Sequence, residues 1–318
     1  MPAIRTDDLT RRFGDIVAVD GLDLEVRKGE VYGFLGPNGA GKSTTINMLL
    51  GFTPPTAGSG TILGHDIVEE SLEIRQRIGI LPEDFGVYSR LTARKHVEFA
   101  IDAKNADDDP DDLIKRVSLT DAANRKAGGF STGMKQRLAL AMALVGEPDL
   151  LILDEPSSGL DPNGAREMRA IIREENDRGA TVFFSSHIME QVEAICDRVG
   201  IMRSGEIVAE DTIDALKAGF DADARLVLTV DAVPEGMSAE LEGLDGVGDV
   251  IVDGLDVIAV LADSGRKAAV INAVEAAGAT VEDIRSDEPS LEDLFAALTN
   301  DDAPFGETAE RNSEMIDT

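Results

Sequence analysis

The glycine-rich segment Gly36-Pro-Asn-Gly-Ala-Gly-Lys-Ser43 follows an apolar run and opens a helical pattern. Glycines in such a loop let successive backbone N–H groups face phosphate oxygens at the start of a helix. In this context Lys42 reaches the β and γ phosphates of a nucleotide, Ser43 holds Mg²⁺ and Thr44 adds a phosphate contact. The predicted phosphate-binding residues are Gly36, Pro37, Asn38, Gly39, Ala40, Gly41, Lys42, Ser43 and Thr44. By itself the loop leaves several enzyme classes open, GTPases and kinases among them.

Two carboxylates, Asp154 and Glu155, end the apolar run Leu150-Leu-Ile-Leu153. A buried strand does not normally end in paired acids without a reason. Asp154 is suited to holding Mg²⁺, directly or through water, and Glu155 to orienting and polarising the water that attacks the γ-phosphate. The plain alternative is an acidic pair on the surface.

The segment Phe130-Ser-Thr-Gly-Met134, followed by Lys-Gln-Arg137, resembles the signature segment of ABC (ATP-binding cassette) ATPases. Ser131 and Gly133 stand at a predicted helix start, where a hydroxyl, backbone N–H groups and the helix dipole face an anion. The resemblance implies that this anion is the γ-phosphate of ATP bound by the opposite protomer. The segment differs from the commoner Leu-Ser-Gly-Gly-Gln at its first, third and fifth positions. A serine that only caps a core helix is the alternative.

Three further segments resemble ABC motifs in the expected order. Residues 150–156 resemble the Walker B segment, and Ser158-Gly-Leu-Asp161 matches the D-loop, which the family places along the dimer seam. His187 follows a predicted strand and stands where the family has its switch histidine. The resemblance implies that His187 donates a hydrogen bond to the γ-phosphate and helps to fix the attacking water.

Two matches depart from the residue that is usual in the family. Phe13 stands where many members stack adenine on Tyr; a Phe ring stacks equally but lacks the hydroxyl. Glu83 stands where most members have a Gln that touches Mg²⁺ and couples the site to the permease. A carboxylate can still contact the metal, although the charge of the site changes. The alternatives are a core Phe and a solvated loop Glu, and His65 and His96 match no motif.

The elements that must position these residues follow an α/β pattern. Short apolar segments alternate with helical patterns over residues 1–219, which is typical of a parallel sheet. Helical spacing predicts a subdomain at about 88–145. The resemblance implies a P-loop NTPase cassette with a parallel-sheet core, a helical subdomain and antiparallel strands. We predict a small C-terminal α+β domain at residues 220–299. Residues 300–318 are acidic and polar, and we predict that they form a disordered tail.

Strands are predicted from short apolar or alternating runs. The predicted strands are Ala3–Leu9, Leu22–Val26, Val31–Leu35, Thr61–Leu63, Leu150–Leu153, Thr181–Ser185, Val199–Met202, Leu226–Val230, Val250–Val252, Val257–Leu261 and Val281–Ile284.

The charge of the chain limits its partners. Lys and Arg total 30 against 61 Asp and Glu, a formal net charge of −31. So acidic a chain lacks the broad basic face that holds a phosphate backbone, and nucleic acid is excluded as its main partner.

The acidity also predicts that folding depends on salt. It is spread along the chain, as in proteins of salt-loving organisms. At a net charge of −31, self-repulsion opposes compaction in dilute buffer. Molar salt shortens the screening length to about 3 Å and removes most of that repulsion. We expect a higher melting temperature in molar potassium chloride than in dilute buffer, and equal melting temperatures would contradict the hypothesis.

Cys196 is the single cysteine, so an intrachain disulfide is not possible and a buried structural thiol in a reducing compartment is expected. The first thirty residues carry charges throughout, unlike a secretory signal. No run approaches the roughly 18 apolar residues of a membrane span. These features predict a cytoplasmic protein without direct membrane insertion, and the resemblance implies that a permease holds it at the inner face of the cell membrane.

The resemblance as a whole implies an ATP-hydrolysing subunit of an ABC transporter with ATP and Mg²⁺ as cofactors. Two cassettes, as a homodimer or a pair, clamp two ATP molecules head to tail and drive a separate transmembrane permease. Pro289-Ser-Leu-Glu-Asp-Leu-Phe295 resembles a segment of drug, sodium or antibiotic-resistance exporters, which favours export. The alternatives are an ABC ATPase that acts without a permease in translation or DNA repair, and a module that senses ATP without hydrolysing it. The transported substrate is not encoded in these motifs.

Overall fold

The computed structural model divides the chain into two units, Met1–Ile213 and Asp214 onward. The division falls six residues before the predicted boundary at 219 because the helix that begins at Ile213 groups with the second unit. The predicted tail, 300–318, lies outside the described residues. The structure describes residues 1–219, 224–234, 236–261, 264–287 and 291–299.

The first unit contains two sheets and the helices that cover them. Its strands are β1 (Ile4–Phe13), β2 (Ile16–Leu22), β3 (Glu25–Val26), β4 (Val31–Leu35), β5 (Ala57–Ile62), β6 (His65–Asp66), β7 (Ile78–Leu81), β8 (Leu150–Asp154), β9 (Thr181–Ser186), β10 (Arg198–Arg203) and β11 (Glu206–Thr212). Its helices are α1 (Lys42–Leu49), α2 (Ser71–Arg77), α3 (Ala93–Lys104), α4 (Pro110–Arg116), α5 (Thr132–Ala143), α6 (Pro162–Asp177) and α7 (Met189–Glu193), and α8 (Ile213–Gly219) leads into the second unit.

The central sheet has the strand order β11-β10-β4-β9-β8-β7. Its strands from β10 to β7 are parallel, and β11 pairs antiparallel with β10 at one edge. Every residue of β4, β8 and β9 is buried, as expected for parallel strands covered on both faces. Parallel strands end at one edge of a sheet, so the loops after β4, β7, β8 and β9 meet there. The predicted parallel core sheet is confirmed.

The antiparallel sheet has the order β2-β1-β5-β6, and β3 also pairs with β1. The prediction of a single strand Leu22–Val26 is wrong. The strand is interrupted after Leu22, where β2 ends, and β3 contains only Glu25 and Val26. The Thr6 hydroxyl donates to the Leu22 carbonyl (2.6 Å) and accepts from the Leu24 N–H (2.9 Å). A side chain thus replaces ladder hydrogen bonds where the strand was expected to continue.

The helical part of the first unit contains α3, α4 and α5. Thr92 caps α3 by accepting from the Lys95 N–H, and Asp109 caps α4 ahead of Pro110. These are typical helix-start residues, and they explain why the three aspartates at 107–109 lie between the two helices. The Lys104 ammonium joins these helices to the core by donating to the carbonyls of Ile78 (2.8 Å) and Val145 (2.9 Å).

The second unit is an α+β structure with a sheet of order β13-β14-β12-β15, whose neighbouring strands are all antiparallel. The apolar face of its sheet packs on helices α9 and α10. Its elements are β12 (Ala224–Val230), α9 (Met237–Glu242), β13 (Val247–Asp253), β14 (Asp256–Leu261), α10 (Lys267–Ala276), β15 (Val281–Asp287) and α11 (Leu291–Thr299).

Two further expectations from the sequence concern the single cysteine and membrane-spanning segments. Cys196 is buried, as predicted, and burial raises the pKa of its thiol. Within the described ranges, we find no helix that combines the length and apolar character needed to cross a bilayer.

Candidate nucleotide site

The glycine loop between β4 and α1 forms a cradle that only glycine can build at two positions. Gly41 precedes α1 with φ 113°, and a Cβ there would lie 2.4 Å from the Ala18 carbonyl oxygen. At Gly36 a Cβ would lie 2.5 Å from the Met202 carbonyl oxygen. The loop therefore packs so closely against the carbonyl groups of Ala18 and Met202 that these two positions have no room for a side chain. A cradle of this kind at a helix start fits a phosphate group.

One pocket collects most of the predicted site residues. Lys42, Glu83, Asp154 and Glu155 share it with the loop, whereas Gly36 and Ala40 contribute to the loop's packing. Its lining residues are Ala18, Pro37, Asn38, Gly39, Gly41, Lys42, Ser43, Thr44, Glu83, Asp154 and Glu155. Loops after β4, β7 and β8 thus converge as the sheet topology requires.

Lys42 lies within the glycine loop, with 7% of its surface exposed. Its ammonium donates to the carbonyls of Gly36 (2.6 Å) and Pro37 (3.3 Å). Burial lowers the pKa of Lys42, while the charges of Glu155, Asp154 and, more weakly, Glu83 raise it. A cation so placed is suited to the charge of a polyphosphate.

Asp154 and Glu155 are organised by Ser185 at the end of the neighbouring strand β9. The Ser185 hydroxyl donates to Asp154 Oδ1 (2.6 Å) and accepts from the Glu155 N–H (3.0 Å). Burial raises the pKa of Asp154, and the bond from Ser185 opposes that rise. Sequence reasoning used Ser185 only as a strand residue. The signal that could have revealed its role is a hydroxyl at the end of a strand predicted to lie beside the acidic pair.

Glu155 has an unusual backbone conformation and a polar partner. Its φ is 49°, a left-handed conformation that costs a non-glycine residue on the order of 1–3 kcal/mol. Its carboxylate contacts His187, whose Nδ1 lies 2.9 Å from Glu155 Oε2. His187 follows β9 and its side chain is 48% exposed, whereas that of Glu155 is 8% exposed. The structure therefore brings the predicted water-orienting acid and the predicted switch histidine together.

Oxygen donors in the pocket fit a divalent cation of the Mg²⁺ type. Ser43, Asp154 and Glu83 offer a hydroxyl and two carboxylates. In the described part of the chain, no group of three or more His, Cys, Asp or Glu side chains forms a metal cage. Mg²⁺ commonly takes one or two protein carboxylates together with substrate phosphates, so the donor set suits it.

Phe13 lies at the end of β1, outside the residues that line the phosphate pocket. It pairs with Ile16 in the hairpin to β2, and 48% of its surface is exposed. The Arg11 guanidinium lies 4.4 Å from the centre of one face of its ring. An exposed ring supported from one side agrees better with a stacking surface than with a core residue.

Ser131 and Gly133 do not lie with the other predicted phosphate contacts in the single chain. They line a second cleft, together with the D-loop residues Gly159 to Asp161. The Ser131 hydroxyl caps α5 by accepting from the Met134 N–H (3.3 Å), so the predicted helix start is correct. Arg137 also lines this cleft and forms an ion pair with Glu167 (3.0 Å). Arg137 was not among the site residues predicted from the sequence.

Comparison with known proteins identifies the family. Residues 19–158 match the family model described as "ABC transporter". The daunorubicin resistance ATP-binding protein DrrA3 of Streptomyces coeruleorubidus is 36% identical over 96% of this chain and 99% of its own length. This chain belongs to the ABC transporter family as an ATP-binding subunit. The linearmycin resistance ATP-binding protein LnrL of Bacillus subtilis is 34% identical over 93% of this chain and 98% of its own length.

A solved structure supports the same conclusion for this ABC subunit. The ATP-binding cassette MJ0796, described as a dimeric post-hydrolysis state bound to ADP and Pi, matches with a TM-score of 0.60. It is 25% identical and covers 66% of this chain and 98% of that chain. The predictions of an ABC-type ATPase coupled to transport and of ATP binding are confirmed. The family's cassettes dimerise and pair with a permease. The salt-loving character inferred from composition stays a prediction.

Proposed function

We propose that this chain powers an exporter of antibiotic-like molecules, as a cytoplasmic homodimer beneath a separate permease. The observation that carries the hydrolytic part is the cluster at the sheet edge, where Glu155, Asp154 and Lys42 share one pocket with the glycine loop. This arrangement offers a phosphate cradle, a cation and a water-orienting carboxylate within one site.

Glu155 is the residue that orients and polarises the attacking water. Its carboxylate is largely buried and its backbone is fixed by the bonds from its N–H to the Ser185 hydroxyl (3.0 Å) and carbonyl (3.3 Å). A carboxylate held this firmly presents its acceptor oxygens in a fixed direction. A fixed direction favours in-line attack on the γ-phosphate.

His187 acts beside Glu155. Because an ionised carboxylate only accepts hydrogen bonds, Nδ1 carries the proton in the 2.9 Å contact with Glu155. Nε2 then donates to a γ-phosphate oxygen only when the ring carries both protons. His187 therefore supports the Glu155 carboxylate, and its second ring nitrogen is the proposed donor to the γ-phosphate.

The remaining pocket residues hold the substrate. The backbone of the glycine loop and Lys42 bind the β and γ phosphates, and Thr44 adds a contact. Ser43, Asp154 and Glu83 are the residues that would hold Mg²⁺, which when bound neutralises phosphate charge. Phe13 stacks against adenine on the face of its ring that is not covered by Arg11.

Ser131 and Gly133 of a second copy complete each site. Their separation from the phosphate pocket within one chain supports this proposal, because the α5 N-terminus is left facing a cleft of its own. The dimeric form of the similar cassette MJ0796 with ADP and Pi gives further support. Formation and release of the ATP-bound dimer then moves the permease.

The export direction and the substrate class rest on the similar proteins. DrrA3 and LnrL are described as daunorubicin and linearmycin resistance proteins, and both align with nearly the whole chain, the second unit included. Resistance to such compounds is the expected result of exporting them. These likenesses support an antibiotic as the exported compound.

Purification and transport test this proposal. A tagged chain is expected to co-purify with a polytopic membrane protein that has no ATPase of its own. Vesicles that contain both proteins, with the ATPase facing outward, should accumulate daunorubicin when given Mg-ATP, and vesicles with the Glu155→Gln chain should not. Co-purification with ribosomes or DNA would contradict the proposal, as would equal daunorubicin uptake by the two kinds of vesicle.

A further inference from the structure

His96 is a buried histidine on α3 that has no part in the nucleotide pocket. It is 1% exposed. Its Nε2 accepts from the backbone N–H of Tyr88 (2.9 Å), and its Nδ1 lies 2.8 Å from the Thr92 carbonyl oxygen. A carbonyl only accepts, so Nδ1 carries the proton and Nε2 is the acceptor. The ring thus makes both of its hydrogen bonds to the main chain.

These bonds fix a turn between Glu83 and the start of α3. Tyr88 donates its N–H to His96, and its carbonyl accepts from the Leu91 N–H (2.9 Å). The ring of Tyr88 also lies over His96, with the ring centres 6.0 Å apart. One side chain of α3 therefore helps to fix the position of residues 88–91.

The same turn is bonded to the segment that leads into the signature serine. The carbonyl of Ser89 accepts from the Gly128 N–H (3.1 Å), and that of Leu91 accepts from the Ala127 N–H (2.8 Å). Ser131 follows Gly128 by three residues and is the N-cap of α5. Hydrogen bonds thus connect His96 through this turn to Ala127 and Gly128, in the segment that leads directly to the residue proposed to bind the partner's ATP.

We infer that His96 is a positioning residue for the signature segment, and that it sets the place of Ser131 through Tyr88, Ser89 and Gly128. This inference rests on the proposed shared site. His96 acts on the ATP of the partner, because the bonds lead to the segment just before Ser131 and not to the glycine loop of its own chain. Loss of the imidazole acceptor removes the bond that holds the Tyr88 N–H and loosens the turn.

The test measures dimer formation by the full chain. In a Glu155→Gln background with Mg-ATP, addition of His96→Leu is expected to weaken dimerisation about tenfold, the scale of one lost hydrogen bond. His96→Gln keeps an amide oxygen that accepts from Tyr88 and should restore dimerisation to within about twofold. Binding of a fluorescent ATP analogue to the monomer should stay unchanged in both variants.

A second pair of variants tests the same connection without altering His96. A Cβ at Gly128 would lie 2.8 Å from the Ser89 carbonyl oxygen, whereas one at Gly129 would meet no described atom within 4 Å. Gly128→Ala is therefore expected to weaken the dimer as His96→Leu does, and Gly129→Ala to leave it unchanged. This pair decides the question if His96→Leu does not fold.

Three outcomes would overturn the inference: normal dimerisation of His96→Leu, a parallel loss of monomer ATP binding, or equal effects of the two glycine variants. Ser131→Ala in the same background separates the two proposals. If it weakens the dimer and His96→Leu does not, only the inference on His96 fails. If neither weakens the dimer, the shared site fails as well.

Discussion

The substitution Glu155→Gln is expected to lower ATP turnover by about 100-fold or more while ATP binding persists. Glutamine has nearly the same shape, so the contacts of the glycine loop and Lys42 with the nucleotide remain. It lacks the negative charge that polarises the attacking water, and loss of a positioned general base typically costs about 10²–10⁴ in rate. Phosphate release and equilibrium binding of an ATP analogue measure the two effects separately.

A matched control shows whether the effect belongs to the site. Glu206→Gln removes the same charge from an exposed position on β11, and turnover should stay close to that of the parent chain. Turnover by Glu155→Gln within a few-fold of the parent would remove Glu155 from the proposed role. A parallel loss of ATP binding would instead indicate damage to the pocket.

Mixed dimers of Lys42→Ala and Ser131→Ala are expected to regain activity that neither homodimer has. The Lys42→Ala chain still offers Ser131, and the Ser131→Ala chain still offers Lys42, so one of the two sites is complete. Removal of a charge-stabilising group costs about 10²–10³ in rate, so each homodimer should be nearly inactive. The purified mixed dimer should show about half of the parental activity if the two sites act independently.

The control for this experiment contains the same substitutions in another arrangement. When both substitutions are in one chain and its partner is unaltered, neither site is complete, because each lacks Lys42 or Ser131. This dimer should be nearly inactive. Two differently tagged chains allow each mixed dimer to be purified. Equal activities of the two arrangements would show that each chain supplies its whole site, against the proposal.

Local sequence was enough to predict the glycine loop and four of the six strands of the central sheet, β4, β8, β9 and β10, but not β7 and β11. The residues of β4 and β8 are continuously apolar because both faces of a parallel strand are covered, and this leaves a clear pattern. Gly41 is likewise dictated locally, since its φ of 113° suits only glycine. The order of these elements along the chain was therefore sufficient to expect the phosphate pocket.

Features that depend on contacts distant in sequence were not predicted. The break between β2 and β3 follows from the Thr6 hydroxyl, 16 residues from its acceptor Leu22. Ser185 organises the acidic pair only because β9 lies beside β8, and Ser185 is 31 residues from Asp154 in the sequence. His96 matched no motif because its role rests on a bond to a backbone N–H, which any residue at position 88 other than proline supplies.

The most direct test of the account is the ATP-dependent association of the Glu155→Gln chain, measured by sedimentation velocity at high salt. Addition of Mg-ATP should convert the monomer into a dimer, and the further substitution Ser131→Ala should reverse this conversion. A Glu155→Gln chain that binds ATP yet stays monomeric, even together with its membrane subunit, would contradict the shared site.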